Sequence, residues 1–277
     1  MIHKEKERIE YPESTDLSDR ERNMTCKEEI SLKYDWMGSF NGGLAKVKLN
    51  EKYGFVDKTK EVIPIKYDWI GSFCEGLAEV KIDEKWGFID TTGKEVIPLK
   101  YDCTDSFSED LAKVGLNGKY GFIDKTGMVV VSLKYDDVGI FNEGLAEVKF
   151  NRKWGFINKT GMVVIPLKYK SMYPFSEGLA GVSLSEWGFA GVNIEEWGFI
   201  DKTGKVVIPL DYDQVASFSE GLAMVVLNDK YGFINKTGMA VIPLKYDWAE
   251  PFNKGLAEVE LNGKYGFIDK TGKEVKM

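Results

Sequence analysis

Apolar and polar residues alternate along short stretches of this chain. In the stretch 77–82, Ala78 and Val80 fall on one side of an extended backbone, and Glu79 falls on the other. Alternation with a period of two residues predicts a β-strand. The two stretches that follow are rich in aromatic and β-branched residues, which strands favour. The pattern therefore predicts an all-β protein.

The same pattern returns at a nearly fixed interval. A glycine between two aromatic residues recurs in steps of 33, 34, 34, 43, 34 and 34 residues, at Gly54, Gly87, Gly121, Gly155, Gly198, Gly232 and Gly266. A period within about 20–50 residues indicates a repeat architecture. Each unit is predicted to be a three-stranded antiparallel meander of strands A (76–82), B (85–90) and C (95–102). We predict seven such units of about 34 residues, stacked as an open β-solenoid-like array in a single domain, residues 28–277.

Turn residues support this division of the unit. Strands A and B are joined by two residues such as Asn117-Gly118, a strong hairpin signal. The seven hairpins are predicted near residues 44–57, 77–90, 111–124, 145–158, 179–201, 222–235 and 256–269. Strands B and C are joined by Asp/Asn-Lys-Thr-Gly, in which Lys60 takes the place of the glycine in the first unit. A lysine at positive φ costs up to about 1–2 kcal/mol, so this turn should be the weakest or have a different shape. Proline within strand C predicts that C is an edge strand or pairs on one side only at that point.

The fifth unit contains a tandem duplication, in which residues 180–189 are followed by the similar residues 190–199. One extra strand would reverse the chain direction of every later unit. We therefore predict a lengthened A–B hairpin with its tip near Gly191, protruding by roughly 17 Å.

Composition narrows the function classes. The net charge of −7 argues against a nucleic-acid partner. The only histidine is His3, and three cysteines occupy unrelated positions, so we expect no metal, no cofactor and no disulfide framework.

Residues 1–27 carry seven acids and six bases and are predicted to be a disordered tail. With no apolar run long enough to span a membrane and no signal peptide visible, we expect a cytoplasmic protein.

The shared motifs are Gly-Leu-Ala-x-Val, Lys-Trp/Tyr-Gly-Phe-Ile-Asp, Lys-Thr-Gly-Lys-x-Val-Ile-Pro and Tyr-Asp. Together they resemble the bacterial WG repeat (KWG) family, over residues 28–275. The resemblance implies a bacterial β-repeat protein that binds or scaffolds, and it brings no catalytic residues. Departures from the pattern are Lys60, Val131-Ser132, Tyr169-Lys170 and the duplicated hairpin.

A closed seven-bladed, propeller-like ring is the alternative architecture. The first C strand (28–35) has no hairpin before it, and the last hairpin is followed only by the stub 273–277. The N-terminal strand could therefore complete the last unit. However, 34 residues is short for a four-stranded blade of about 40–50 residues, so we prefer the open array.

The residue after Tyr-Asp varies between units, and repeats diversify the face that meets a ligand. This position holds Trp36, Trp69, Cys103, Asp137, Gln214 and Trp248, and Lys170 replaces the aspartate in another unit. Exposed tryptophan is costly unless it binds something, although local packing would also explain it. The candidate binding residues are thus Trp36, Trp69 and Trp248, with Trp187 and Phe189 on the duplicated hairpin. The motif aromatics should pack in a core ladder, each covered by the stem of the preceding lysine.

These features favour a non-enzymatic binding or scaffolding module for a protein, peptide or glycan. Self-association through the 184–197 hairpin is a further hypothesis. One alternative is a propeller-type hydrolase with paired carboxylates such as Asp136 and Asp137, which requires two facing acids and a raised pKa. The other is a purely structural spacer or self-assembling array.

Overall fold

A computed structural model describes residues 33–185 and 195–275 of the 277-residue chain. Within these residues, every regular element is a β-strand. The strands form seven separate four-stranded antiparallel sheets, one for each unit, which we number 1 to 7. The predicted all-β class, the seven units and the antiparallel meanders are confirmed. None of the described residues belongs to a helix of the length and hydrophobicity that crossing a membrane requires.

Each sheet contains a two-residue first strand followed by strands A, B and C, in chain order. The first strands are β1 (Trp36–Met37), β5 (Trp69–Ile70), β9 (Cys103–Thr104), β13 (Asp137–Val138), β17 (Ser171–Met172), β21 (Gln214–Val215) and β25 (Trp248–Ala249). The A strands are β2 (Ala45–Leu49), β6 (Leu77–Ile82), β10 (Leu111–Leu116), β14 (Leu145–Phe150), β18 (Leu179–Ser185), β22 (Leu222–Leu227) and β26 (Leu256–Leu261). The B strands are β3 (Lys52–Val56), β7 (Lys85–Asp90), β11 (Lys119–Asp124), β15 (Lys153–Asn158), β19 (Glu195–Asp201), β23 (Lys230–Asn235) and β27 (Lys264–Asp269). The C strands are β4 (Glu61–Tyr67), β8 (Glu95–Tyr101), β12 (Val129–Tyr135), β16 (Val163–Tyr169), β20 (Val206–Tyr212), β24 (Ala240–Tyr246) and β28 (Glu274–Val275).

The first strand is an addition to the predicted three-stranded unit. It follows the Tyr-Asp pair directly, so the chain leaves strand C of one sheet and enters the first strand of the next. A strand of two residues is too short to show an alternating pattern. The first strand and strand C are consequently the two edges of every sheet.

The A–B hairpins have the predicted tight turns. Asn50 and Glu51 both have positive φ, at 50° and 62°, as a two-residue type I′ turn requires. The aspartate of Tyr-Asp holds this turn, because Asp35 Oδ2 accepts the Asn50 N–H at 2.7 Å. The same bond recurs in four other units, at Asp68–Asp83, Asp102–Asn117, Asp213–Asn228 and Asp247–Asn262.

The B–C turns are closed by their leading acid or amide. Asp90 Oδ1 accepts the Thr92 hydroxyl at 2.6 Å and the Lys94 N–H at 3.0 Å. The Thr92 hydroxyl is the main reason that the pKa of Asp90 is lowered. Asn158 accepts the equivalent bonds with its amide oxygen, which confirms that this motif is a turn.

The expectation that Lys60 occupies the position of the turn glycine is wrong. Lys60 has no positive φ, and the Asp57 N–H donates to the Lys60 carbonyl at 2.9 Å. In the next unit, the Asp90 N–H reaches one residue further, to Lys94. The glycine is therefore deleted from the first unit, which accounts for the 33-residue step and gives this turn its different shape.

The motif glycine marks a bulge where strand C presses on strand B. Trp86 pairs with Tyr101 while Phe88 pairs with Ile97, so strand C has two extra residues between these pairs. A Cβ atom at Gly87 would lie 2.5 Å from the Ile97 carbonyl oxygen, which leaves room only for glycine. Strand C is an edge strand, as its proline predicts.

The hydrophobic core lies between consecutive sheets. Phe88 and Tyr101 of sheet 2 pack against Ala112 and Val114 of sheet 3, and equivalent clusters fill the other junctions. Among the described residues, no core cluster joins sheet 7 to sheet 1. The described residues therefore form an open array, as the sequence analysis preferred. Most of the N-terminal strand (28–35) that would complete the alternative closed ring lies outside the described residues.

The duplicated segment lies in the A–B hairpin of sheet 5. Its ladder continues past the pair Leu184–Glu196 to Ser185–Glu195, one pair further than in the other units. This agrees with a lengthened hairpin. The predicted tip at Gly191 lies outside the described residues, as does the tail 1–27.

Candidate binding edge

One edge of the array carries the candidate binding residues. The variable position after Tyr-Asp opens the first strand of every sheet, and the row consists of Trp36, Trp69, Cys103, Asp137, Ser171, Gln214 and Trp248. We call this row the first-strand edge. Because each first strand is an edge strand, one side of its backbone pairs with no strand of its own sheet.

A second variable row lies in strand A beside this edge, at the position between alanine and valine. It consists of Lys46, Glu79, Lys113, Glu147, Gly181, Met224 and Glu258. Two of these side chains bond to the neighbouring sheet: Lys46 Nζ donates to the Ile70 carbonyl, and Glu79 accepts from the Ser106 hydroxyl. The second row therefore determines the chemistry between neighbouring sheets next to the first-strand edge.

The edge is aromatic in sheets 1 and 2. Trp36 is 50% exposed and Trp69 is 38% exposed. The ring of Trp69 lies 5.1 Å from that of Trp86, and Lys46 Nζ lies 5.3 Å from the Trp69 ring. Burial lowers the pKa of Lys46. Two exposed indoles in consecutive sheets, with a cation beside one of them, form a surface that suits aromatic or cation–π contacts.

Local packing also contributes to these tryptophans. A Cβ atom at Gly38 would lie 2.9 Å from the Trp36 ring, and one at Gly71 would lie 3.0 Å from the Trp69 ring. Each indole therefore covers a glycine two residues further along its own chain. This contact orients the indoles while leaving much of both rings exposed.

Beside the first-strand edge, the second row is charged in sheets 2 to 4. Lys113 Nζ lies 3.6 Å from Asp137 Oδ1 and 3.8 Å from Asp105 Oδ2. Glu79 and Glu147 are nearly buried, and burial raises the pKa of both carboxyl groups. In these sheets, the basic Lys113 therefore lies in the same row as two carboxyl groups, Glu79 and Glu147, whose pKa is raised by burial.

The candidate tryptophans do not form one patch. Trp36 and Trp69 lie in consecutive sheets, whereas Trp248 lies in sheet 7, beyond four intervening sheets. Trp248 is half-buried, and its ring lies 6.2 Å from that of Tyr265. Trp187 and Phe189 lie outside the described residues.

The motif lysines have partners that the sequence analysis missed. Lys85 Nζ binds Asp102 Oδ1 at 2.6 Å instead of covering Trp86, and the lysine over the Trp86 ring is Lys81 of strand A. Lysine pairs with the Tyr-Asp carboxylate in the same way at Lys52–Asp68, Lys119–Asp136 and Lys230–Asp247. The Tyr-Asp carboxylate therefore joins strand B of one sheet to the A–B turn of the next, as Asp102 does for Lys85 and Asn117. Among the motif rings, Trp197 is buried, five others are half-buried against the core clusters, and Tyr265 is 65% exposed.

The paired carboxylates of the hydrolase alternative do not have the required electrostatics. Asp136 binds Lys119 at 2.7 Å, and this bond lowers the pKa of Asp136. Asp137 faces Lys113 instead of a second acid. Within residues 33–185 and 195–275, no group of three or more His, Cys, Asp or Glu side chains could hold a metal ion.

A row of hydrogen bonds joins consecutive units and contrasts with the variable edge. The Ser108 hydroxyl donates to the Phe141 carbonyl at 3.0 Å, and Asn142 Nδ2 donates to the Phe175 carbonyl at 2.7 Å. Cys74 occupies the same position and donates its thiol to the Phe107 carbonyl. In the sequence, this row corresponds to the position three residues before the leucine that precedes Ala-x-Val, which is always serine, asparagine or cysteine. Cys74 is thus a substitute donor within the frame.

The fold and the site define an open all-β repeat protein with a constant frame and a variable edge. The WG containing repeat family matches at seven tandem segments, residues 27–53, 53–86, 86–120, 120–154, 154–186, 197–231 and 231–265. These segments cover most of the chain, which therefore belongs to this family. No curated protein matches it.

Solved structures show only a distant likeness. The extracellular domain of a protein assigned as a one component system from B. thetaiotaomicron is 12% identical with a TM-score of 0.39, over 88% of this chain and 41% of that one. The dihydro-heme d1 dehydrogenase NirN in complex with DHE is 14% identical with a TM-score of 0.43, over 87% of this chain and 65% of NirN. Apo AztD from Citrobacter koseri is 12% identical with a TM-score of 0.34, over 84% of this chain and 80% of AztD. This chain thus spans less than two thirds of the first two structures.

Proposed function

We propose that this protein is a non-enzymatic binding or scaffolding module whose ligand, a protein or peptide, meets the first-strand edge. The observation that supports the proposal is the exposure of Trp36 and Trp69 at a position that varies from unit to unit. The surrounding frame of turns, motif glycines and cross-unit hydrogen bonds is nearly constant. A repeat that binds a ligand keeps such a frame and changes the residues that make contact.

The two tryptophans suit the centre of such an interface. Large aromatic side chains that are already oriented lose little conformational freedom on binding and bury a large area. The charged residues Lys113, Asp105 and Asp137 in the next sheets would then select the ligand by charge. A glycan ligand would use the same indoles through stacking and would depend less on these charges.

A library selection tests the proposal and identifies the ligand class in the same experiment. The full chain would be screened against a displayed peptide library and a glycan array, and each selected ligand would be titrated against three single variants. Trp36→Ala and Trp69→Ala should each weaken binding by at least about tenfold, which corresponds to the loss of one central aromatic anchor. Trp248→Ala is the matched control in sheet 7 and should leave binding unchanged. Selected ligands that bind all three variants equally well would contradict the proposal.

A further inference from the structure

The opposite edge of the array, formed by the C strands, carries an apolar patch in sheets 3 and 4. Met128 is 64% exposed, Val129 46%, Val130 36%, Met162 62% and Val163 43%. We call these five residues the outer patch. A Cβ atom at Gly161 would lie 3.2 Å from Val131 Cγ2, so the turn that leads to Met162 rests on strand β12. The residues of the two sheets therefore form one continuous surface.

Exposed apolar residues also occupy the corresponding positions of sheets 5 and 6, at Val206, Val207, Met239 and Val241. Three other units carry a lysine and a glutamate where sheet 3 has Met128 and Val129: Lys60-Glu61, Lys94-Glu95 and Lys273-Glu274. The frame therefore folds with charged residues at these positions, and apolar residues are not required there for packing. Large exposed apolar patches on a soluble surface mark interaction sites, and methionine adapts well to different partners.

Strand β12 also has a free edge that the other complete C strands lack. It carries Ser132 where those strands have Pro64, Pro98, Pro166, Pro209 and Pro243. The Val131 carbonyl and the Leu133 N–H face Gly121 on the neighbouring strand β11. Because five other complete C strands have a proline at this position, the repeat frame does not use an N–H donor there. Among the described strands, β12 is the last of its sheet, so this donor is available to an incoming strand.

Lysines that are not neutralised border the outer patch. Lys134 is exposed on the same face as Val130 and Ser132, and Lys100 and Lys168 occupy the same position in the adjacent sheets. Their ammonium groups lie 5.1–5.2 Å from the rings of the tyrosines that follow them. Among the described residues, no carboxylate lies within 4.0 Å of these three groups, in contrast to the motif lysines such as Lys85. These three lysines form a basic strip on a chain whose net charge is −7.

We propose that the outer patch is a docking surface for an extended segment of a partner protein in which acidic and apolar residues alternate. The segment adds to β12 as a fifth strand, pairs with the Ser132 N–H, and places an acid near Lys134, while Lys100 and Lys168 of the adjacent sheets add to the positive potential. A second copy of this chain is a poor occupant, because it would bring the same lysines against these lysines. This surface is on the opposite edge of the sheets from the first-strand edge, so the two proposals are independent.

A short fluorescein-labelled peptide of alternating glutamate and valine is the probe, and a peptide of alternating lysine and valine is its control. Fluorescence anisotropy should show binding of the acidic peptide to the full chain and much weaker binding of the basic one. Ser132→Pro reproduces the residue of five other C strands, so the fold tolerates it, and it should weaken binding by at least about tenfold. The double variant Met128→Lys, Val129→Glu copies Lys94-Glu95 and should also weaken binding by at least about tenfold.

Trp36→Ala is the matched control on the opposite edge and should leave peptide binding unchanged. Thermal unfolding of each variant confirms that the array is folded. Absence of acidic-peptide binding, equal binding of both peptides, or full binding by Ser132→Pro would each overturn the proposal. Concentration-dependent dimers of the wild-type chain that Ser132→Pro dissociates would overturn it in favour of a second copy as the occupant.

Discussion

Sheets 4 and 7 carry the same motif in different surroundings. In sheet 4, Phe156 is 1% exposed, and its ring lies 4.7 Å from that of Phe175 in sheet 5. In sheet 7, Phe267 is only half-buried, strand β28 has two residues, and a cavity of ≈ 430 Å³ lies beside strand β27. The difference shows that the residues of the motif alone do not bury its phenylalanine. Strand C and the following sheet complete the core, as expected of a linear repeat.

The largest expected difference between the two sheets concerns the motif phenylalanine. Phe156→Ala should lower the free energy of unfolding by about 3–5 kcal/mol, because it leaves a cavity between two sheets. Phe267→Ala should cost clearly less, since no sheet formed by residues 33–185 and 195–275 covers that ring. Urea unfolding followed by circular dichroism measures both. Equal losses would mean that the two phenylalanines have the same packing.

The motif glycine gives a second matched pair. A Cβ atom at Gly155 would lie 2.5 Å from the Ile165 carbonyl oxygen, whereas one at Gly266 would meet nothing within 4 Å. Gly155→Ala should therefore destabilise the protein by about 1–3 kcal/mol through overpacking. Gly266→Ala should stay within about 0.5 kcal/mol of the wild type. The comparison of sheets 4 and 7 fails if the same urea titrations show similar destabilisation by the two substitutions.

The cross-unit hydrogen bonds predict a smaller difference. Asn142→Ala removes the bond to the Phe175 carbonyl and should cost about 0.5–1.5 kcal/mol. Asn253 holds the same position in sheet 7, between strands β25 and β26. Within the described residues no following unit accepts its side-chain hydrogen bond, so Asn253→Ala should be nearly neutral. Thermal unfolding midpoints would show this contrast. A large effect at Asn253 would point to a partner for sheet 7.

The smallest expected effect is the pH dependence that arises from Glu147. Burial raises the pKa of Glu147 above its value in the unfolded chain, so the folded state holds this proton more tightly. The stabilisation is complete below the unfolded pKa and is lost as the pH rises through the folded pKa. Glu147→Gln should therefore stabilise the protein increasingly relative to wild type as the pH rises. Glu258→Gln, at the half-buried position of sheet 7, is the control and should have a smaller effect.

Unfolding midpoints measured over a pH series test this expectation. A stability difference between Glu147→Gln and wild type that does not change with pH would contradict it.

Much of the frame could be predicted because the sequence repeats it. Seven copies of the aromatic-Gly-Phe motif established the period, and pairs such as Asn117-Gly118 identified the hairpins. The first strands were missed because two residues carry no periodicity. Lys60 was assigned to the position of the turn glycine because the deletion of that glycine and its replacement by lysine look alike in so short a sequence motif.

The candidate site was less predictable because it depends on contacts between units. The sequence identified the variable row that contains Trp36 and Trp69, and the structure leaves both rings partly exposed. It assigned Lys85 to cover Trp86, because the two are neighbours in the chain, whereas Asp102 is its partner in the folded sheet. The outer patch was not predicted, since methionine and valine in strand C are as typical of a buried strand face as of an exposed one.

Hydrogen exchange in the native state tests the open array most directly, because it needs no substitution. The amides of Phe156 and Ile157 lie in the same ladder positions as those of Phe267 and Ile268. In an open array, sheet 7 can open without disturbing the interior sheets. The account predicts clearly faster exchange at Phe267 and Ile268 than at Phe156 and Ile157. Equal protection at both pairs would contradict the open array and support a body that closes on itself.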